Sequence, residues 1–228
     1  MNRRDRFGET PLFFVRSAGV AKLLIGHGAD VGVRDRHGDT ALANATMFGD
    51  TAVAKLLIAA GADVNARDGF GATPLHFARN ETLAALLIAH GADVNALDDD
   101  GTPLHTAAMS DRKAAKALVS VLLNHGAQVN AQDRFGRTAL YDAAVAGNIA
   151  VASMLIAHGA GVDLPDLRGH TPLMGAATAG RPSVASLLLR HGADASKRDR
   201  QGNTALDHAQ SAGHPDLAGM LRANGARR

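Results

Sequence analysis

The chain has 228 residues, of which 46% are hydrophobic and 20% charged, an ordinary globular composition that excludes intrinsic disorder. It contains no cysteine, which excludes disulfide scaffolds, thiolate metal sites and cysteine nucleophiles. Aromatic residues make up 4% and the formal net charge is +2, so base-stacking residues are scarce and the strongly basic surface typical of nucleic-acid-binding proteins is absent.

The first residues, Met1 to Arg6, are polar and basic, and no apolar stretch of signal-peptide length follows them. No window approaches the 18 or so apolar residues of a membrane span. We therefore expect a cytoplasmic protein without a membrane partner. Of the 24 basic residues 19 are arginine, which together with the many alanines favours a GC-rich, bacterial genome.

Three short motifs recur seven times in one order, and this repetition organises the whole chain. Successive Asp-x-x-Gly motifs are spaced 30, 33, 30, 35, 33 and 33 residues apart, which defines a repeat of about 33 residues. Asp-x-x-Gly starts at Asp5, Asp35, Asp68, Asp98, Asp133, Asp166 and Asp199. Thr-Pro-Leu or Thr-Ala-Leu starts at Thr10, Thr40, Thr73, Thr102, Thr138, Thr171 and Thr204. Gly-Ala starts at Gly28, Gly61, Gly91, Gly126, Gly159, Gly192 and Gly225.

Each motif predicts a local structure. The threonine is a good N-cap, and a proline directly after it suits the first helical position. A short Ala-rich helix follows, and a glycine such as Gly147 ends it by adopting a left-handed conformation. A second helix with apolar residues at helical spacing runs to the next glycine, such as Gly159. Asp-x-x-Gly predicts a turn between repeats.

The segments Asp68-Gly-Phe-Gly-Ala-Thr-Pro-Leu-His-Phe-Ala78 and Leu86-Leu-Ile-Ala-His-Gly-Ala-Asp-Val-Asn-Ala96 resemble the ankyrin repeat family. The resemblance covers essentially the whole chain. It implies an all-α solenoid of stacked antiparallel helix pairs joined by β-turn fingers, with the fingers and one helix of each pair lining a concave face. We expect one ankyrin repeat domain over residues 1–228, with repeats at approximately 1–34, 35–67, 68–97, 98–132, 133–165, 166–198 and 199–228.

Four repeats depart from the pattern. Repeats one and three are three residues shorter, and we place the loss between their helices, near Arg16–Ala18 and Arg79–Glu81. Repeat four has an extra helical turn between Met109 and Lys116 and lacks one residue between Gly101 and Thr102. A changed finger, Val162-Asp-Leu-Pro165, precedes repeat six. We expect a dislocation of the stack at repeat four.

The two ends of the array differ in polarity. The last repeat carries polar residues that suit a solvated cap, whereas the first presents Phe13, Phe14 and Val15 with no repeat before it. Three readings stay open: a longer native chain, an apolar end covered by a partner or by self-association, or modest exposure that is tolerated.

The histidines do not indicate a metal site or a catalyst. Equivalent residues of stacked helices lie about 8–10 Å apart, whereas zinc ligands lie about 2 Å from their ion. Five histidines precede helix-ending glycines, where a helix C-terminus favours them, and the resemblance assigns His76 and His105 to hydrogen bonds between turns. No phosphate-binding loop, nucleophile elbow or zinc-protease motif occurs. We therefore expect no enzyme, no metal and no cofactor.

The positions that caps and turns leave unassigned lie at the finger tips and at the ends of the first helices. Arginine with exposed phenylalanine and methionine there is typical of protein interfaces. The candidate protein-binding residues are Arg36, His37, Met47, Phe48, Phe70, Met109, Arg134, Phe135, Arg137, Val145, Arg168 and His170.

The leading functional interpretation is a protein–protein interaction module or scaffold that holds an unidentified, acidic or mixed partner on its concave face and finger tips. One alternative is the repeat portion of a larger enzyme or effector that recruits substrate. A third, nucleic-acid binding through the Arg-rich fingers, is disfavoured by the small net charge and by Asp98–Asp100 in mid-row.

Overall fold

The computed structural model describes residues 1–110 and 114–224, and within these ranges the elements are almost entirely helical. Two short 3-10 helices, Pro11–Phe14 and Pro74–Phe77, serve as first helices of repeats one and three. The α-helices are α1 Ala18–Gly26, α2 Ala41–Phe48, α3 Thr51–Ala59, α4 Glu81–Ala89, α5 Pro103–Met109, α6 Ala115–Asn124, α7 Ala139–Ala146, α8 Ile149–Ala157, α9 Pro172–Thr178, α10 Pro182–Arg190, α11 Ala205–Ser211 and α12 Pro215–Ala223. This pairing of helices confirms the predicted all-α repeat architecture.

The chain forms two compact units. Unit 1 comprises Met1–Pro103 with Asn124–Ala127, and unit 2 comprises Leu104–Leu123 with Gln128–Arg228. In unit 1 the first helices form one layer, in which α2 packs between the two 3-10 helices, and α1, α3 and α4 form the other layer. In unit 2 α9 packs between α7 and α11, α8 packs against α10, and α11 packs on α12.

The predicted caps are present. The Oγ1 of Thr138 accepts a hydrogen bond from the backbone N–H of Tyr141 at 3.3 Å, and Thr40 and Thr204 cap their helices in the same way. Gly147 ends α7 with φ of +79°, the left-handed conformation that the sequence predicts. These local bonds fix where each first helix begins and ends.

The missing residues of repeats one and three are lost from the first helix and not from the connection, so that part of the prediction is wrong. Three residues, 15–17, connect the first 3-10 helix to α1, whereas two residues, 49–50, connect α2 to α3. The connection in repeat one is therefore not the shorter one. The shortened segment closes a single 3-10 turn because too few residues remain for an α-helix. Asn80 then caps α4, its Oδ1 accepting from the N–H of Leu83 at 2.9 Å.

Repeat four contains the residues that the structure does not describe. The expected extra turn between Met109 and Lys116 includes residues 111–113, so this prediction lies outside the described residues. On either side, α5 ends at Met109 and α6 begins at Ala115. The residue missing before Thr102 shortens the finger, so that the N–H of Asp98 donates to the carbonyl of Gly101 at 2.9 Å.

The core consists of leucines from both helices of each repeat together with alanines. The leucine of each Thr-Pro/Ala-Leu motif is at most 2% exposed, and a second buried leucine comes from most of the second helices. In the first repeat Phe13 and Val15 are buried as well, whereas Phe14 is 59% exposed. The apolar N-terminal end that the sequence predicts is therefore reduced to Phe14 with the exposed Val20 and Leu23 of α1.

Candidate protein-binding site

Two fingers of unit 2 form the candidate site. In the finger of repeat five the Oδ1 of Asp133 accepts from the N–H groups of Phe135 and Arg137, both at 2.8 Å. The finger of repeat six is built in the same way around Asp166. The N–H of Leu167 then donates to the carbonyl of Phe135 at 2.9 Å, which ties the two fingers into one rigid edge.

A depression of about 460 Å³ lies at this edge. We call it the finger depression, and its lining residues are Phe135, Arg137, Tyr141, Asp166, Leu167, Arg168 and His170. Phe135 and Leu167, 45% and 58% exposed, supply the apolar part of its surface. Four of the predicted binding residues, at positions 135, 137, 168 and 170, thus come together around one concavity.

The guanidinium of Arg137 has a structural role in the finger. Its Nη2 and Nε lie 2.6 and 2.7 Å from the Oδ2 of the buried Asp133. Burial opposes the charge, but the hydrogen bond to Asp133 and the nearby carboxylates raise the pKa of Arg137, so its guanidinium stays charged. The same guanidinium lies 4.7 Å from the ring centroid of Phe135, as does that of Arg134.

Tyr141 reaches the depression from α7. A Cβ at Gly175 would lie 3.0 Å from the Tyr141 ring and 3.1 Å from Val145 Cγ2, so the glycine in α9 leaves room for both side chains. Burial, followed by the charge of Asp166, raises the pKa of the Tyr141 phenol. The phenol therefore stays protonated at neutral pH and can donate a hydrogen bond to a ligand.

The model for ankyrin repeats, in three copies, matches the chain in overlapping segments at residues 1–68, 15–98, 49–133, 75–166 and 158–227. The chain belongs to the ankyrin repeat family. Ankyrin repeats are protein–protein interaction modules and a non-enzymatic fold. No curated protein matches the sequence. Within the described ranges, no helix of this ankyrin repeat protein is long and apolar enough to cross a membrane.

Of the other eight predicted binding residues of this ankyrin array, Arg134 lies over the Phe135 ring and seven lie elsewhere. In unit 1 Arg36, His37 and Phe70 are exposed on the second and third fingers, whereas Met47 is half-buried. Phe48, 54% exposed, lies under the guanidinium of Arg16 at 3.4 Å. In unit 2 Met109 and Val145 are exposed near the ends of α5 and α7. The structure brings none of these seven to the finger depression.

Hydrogen bonds between turns follow the family pattern. The Nδ1 of the buried His76 lies 3.0 Å from the N–H of Thr73, and its Nε2 lies 3.3 Å from the carbonyl of Gly101. Desolvation by burial lowers the pKa of His76, although Asp98 nearby opposes that shift. In unit 2 the Nε2 of His105 lies 3.0 Å from the carbonyl of Arg137. Both histidines tie neighbouring turns together, as predicted.

Fingers of unit 1 carry a different charge pattern from that of the finger depression. Asp39 occupies the position before the N-cap threonine, where repeat five has Arg137. Burial raises the pKa of Asp39, and the carboxylates of Asp35 and Asp68 raise it further. Its Oδ1 is buried without a hydrogen-bond partner among the described residues. Like charges therefore weaken this finger at neutral pH.

Sequence reasoning missed three features of unit 2. Tyr141 is the only tyrosine of the chain, and this rarity was the available signal for its role at the depression. The spacing of four residues from Asp133 was the signal that Arg137 belongs to an ion pair within its own finger. The third feature is the convergence of His170, Asp199 and His208. Comparison of equivalent positions cannot predict it, because the three residues occupy different positions of their repeats.

Proposed function

We propose that this ankyrin repeat protein is a protein-binding module whose partner inserts a side chain into the finger depression. The observation that carries the proposal is a rigid concavity with exposed Phe135 and Leu167 beside the exposed guanidinium of Arg168. Aromatic and arginine side chains dominate the binding energy of protein interfaces. Fingers tied by backbone hydrogen bonds lose little conformational entropy on binding.

The charges favour an acidic partner segment. Arg137 is already neutralised by Asp133, and Asp166 lies against His170 at 3.2 Å. The guanidinium of Arg168 extends the positive rim of the depression. A carboxylate of the partner would meet Arg168 while an apolar neighbour covers Phe135.

The test is affinity capture of native partners by the immobilised protein and by variants. Phe135→Ala and Arg168→Glu each remove one element of the depression, and Lys55→Glu, on the exposed side of α3 in unit 1, makes the same charge change as Arg168→Glu elsewhere. We expect partner affinity to fall at least about 30-fold in the first two variants, as for hot-spot residues, and to stay unchanged in Lys55→Glu.

Arg137 is unsuitable for this test because its removal would leave the Asp133 carboxylate buried and unpaired. Far-ultraviolet circular dichroism confirms that the compared variants are folded. Equal capture by the wild type, Phe135→Ala and Arg168→Glu would contradict the assignment of the depression as the binding site. Capture that disappears on nuclease treatment and falls steeply with salt would instead support nucleic-acid binding.

A further inference from the structure

Three potential metal ligands from repeats six and seven converge in unit 2. We call them the His–Asp–His cluster: His170, Asp199 and His208 each offer one ligand atom, and these atoms lie within 4.8 Å of one another. The Oδ2 of Asp199 lies 2.9 Å from the Nε2 of His208 and 3.6 Å from the Nε2 of His170. The imidazole rings stand perpendicular, at 89°, with centroids 5.2 Å apart.

The outer nitrogen of each ring has a polar partner that favours a hydrogen on Nδ1. The Nδ1 of His170 lies 3.2 Å from the Oδ2 of Asp166, a carboxylate that can only accept, so this nitrogen carries the hydrogen. The Nδ1 of His208 lies 3.3 Å from the Oγ1 of Thr178, whose own hydrogen goes to the carbonyl of Met174 at 3.0 Å. The Oγ1 of Thr178 can therefore accept a hydrogen bond from Nδ1 of His208.

With the hydrogen of both rings on Nδ1, the inner atoms are all acceptors, whereas a hydrogen on Nε2 of His208 would make its 2.9 Å contact with Asp199 Oδ2 a hydrogen bond. In the neutral tautomer, a ring that carries its hydrogen on Nδ1 has a lone pair on Nε2. Two such lone pairs face the Oδ2 of Asp199, whose Oδ1 already accepts from the N–H groups of Gln201 and Asn203 at 2.8 and 2.9 Å. The amide of Asn203 reaches Oδ2 only at 3.5 Å. A positive charge at the centre would satisfy all three acceptors.

We propose that His170 Nε2, His208 Nε2 and Asp199 Oδ2 bind a Zn²⁺ ion. Ligand atoms about 2.0–2.1 Å from a tetrahedral ion are about 3.3 Å apart, between the two distances of 2.9 and 3.6 Å measured from Asp199. Two imidazoles and a carboxylate are a ligand set that zinc accepts with one position left open. The contacts to Asp166 and Thr178 supply the outer hydrogen bonds typical of zinc-bound histidine.

Access and sequence position support the same site. The side chains of His170 and His208 are 21% and 19% exposed, whereas that of Asp199 is 1% exposed, so an ion can enter from the histidine side onto a buried carboxylate. The repeat pattern does not require these histidines. The residues equivalent to His170 in the other repeats are Glu9, Asp39, Ala72, Gly101, Arg137 and Asn203, and those equivalent to His208 are Phe14, Asn44, Phe77, Thr106, Asp142 and Gly175.

Calorimetric titration of the chelator-treated full chain with ZnCl₂ at pH 7.5 tests the site. We expect one saturable site per chain, with an affinity that falls at least about 100-fold in His170→Gln and in His208→Gln. His158→Gln is the control, because His158 is exposed and its Nδ1 lies 2.9 Å from the carbonyl of Met154 at the end of α8. Its substitution should leave zinc affinity unchanged.

Nitrogen-15 NMR of the imidazoles in the wild type provides a readout that does not depend on the variants folding. The proposal requires zinc to shift the Nε2 signals of His170 and His208 while both rings keep their hydrogen on Nδ1. It is overturned by the absence of saturable binding, by equal zinc affinity in the wild type and the His170 and His208 variants, or by an Nε2 hydrogen on His208 that zinc does not displace, since a proton would then hold the cluster together.

Discussion

Substitution of Gly136 by alanine measures how strongly the fingers of repeats five and six are joined. Gly136 has φ of +77°, and a Cβ added there would lie 2.8 Å from the backbone nitrogen of Leu167 and 3.0 Å from its Cγ. Gly202, in the last finger, has φ of +84°, and none of the described residues places an atom within 4 Å of its added Cβ. The two glycines share the backbone conformation and differ in what the methyl group meets.

The expected magnitudes follow from these distances. A left-handed conformation costs an L-residue about 1–2 kcal/mol, and this applies to both positions. At Gly136 the methyl group must also displace the finger of repeat six, and overpacking of this kind costs about 1–3 kcal/mol more. The displacement would lengthen the 2.9 Å hydrogen bond from Leu167 to the Phe135 carbonyl. We therefore expect losses of about 1–2 kcal/mol for Gly202→Ala and about 2–5 kcal/mol for Gly136→Ala.

Urea unfolding of the two variants provides the measurement. Circular dichroism at 222 nm reports the helices of the whole chain, and the fluorescence of Tyr141, the single tyrosine, reports the repeat that contains Gly136. Repeat arrays can lose cooperativity, so the two probes are compared and not assumed to coincide. Equal destabilisation by Gly136→Ala and Gly202→Ala would refute the view that close backbone contact between these fingers stabilises the site.

Three further predictions test the electrostatics and hydrogen bonds of single repeats. Because the pKa of Asp39 is raised in the folded state, the stability that its protonated form contributes is lost as pH rises through the folded-state pKa. In urea titrations, Asp39→Asn should therefore raise the free energy of unfolding by about 0.5–1 kcal/mol at pH 7 and leave it unchanged at pH 3. The pKa of His76 is lowered, so the stability that its neutral form contributes is present above about pH 6.5 and is lost as pH falls below that value. This loss, at most about 1.4 kcal/mol per pH unit, should disappear from the urea titrations of His76→Asn. The carboxylate of Asp163 accepts from the N–H of Asp194 in the next repeat but cannot donate to the carbonyl of Gly192, so Asp163→Asn should raise the thermal midpoint by adding a hydrogen bond worth about 0.5–1.5 kcal/mol. Asn130 makes the equivalent bond to the carbonyl of Gly159, so Asn130→Asp should lower the thermal midpoint.

Each of these three predictions has an opposite outcome that contradicts it. An unchanged stability difference between pH 7 and pH 3 in Asp39→Asn would mean that the carboxylate is not strained by its neighbours. Persistence of the acid-side slope in His76→Asn would assign that slope to another group. A lower thermal midpoint in Asp163→Asn would mean that no donor is needed at that position.

The helices were predictable from the sequence because their ends depend on local chemistry. Thr138 caps α7 and Gly147 ends it through bonds to residues at most five positions away, which a repeat motif reports directly. The sequence predicts how many residues repeats one and three lack, but not which part of the repeat loses them. The choice between a shorter connection and a 3-10 turn at Pro74–Phe77 depends on how the leucine and proline pack against α2, which the residue count does not contain.

The sequence predicts which finger residues of the site are exposed, but not how their side chains are arranged around the depression. Phe135 and Arg168 follow from finger geometry that recurs in every repeat. The roles of Arg137 and Tyr141 do not, because one depends on a side-chain pair with Asp133 and the other on space that Gly175 leaves in the next repeat. Contacts of this kind join non-equivalent positions of adjacent repeats, and a comparison of equivalent positions cannot find them.

The position before the N-cap threonine explains why the two units present different surfaces from one repeat pattern. The side chain at this position faces the aspartate that begins the Asp-x-x-Gly motif of its own finger. Asp39 is therefore repelled by Asp35, whereas Arg137 and His170 are attracted to Asp133 and Asp166. No backbone bond of the finger depends on the identity of that side chain, because the Asp Oδ1 accepts only from N–H groups. The fold thus tolerates opposite charges at this position, and the charge there determines whether the side chain attracts or repels the aspartate of its own finger.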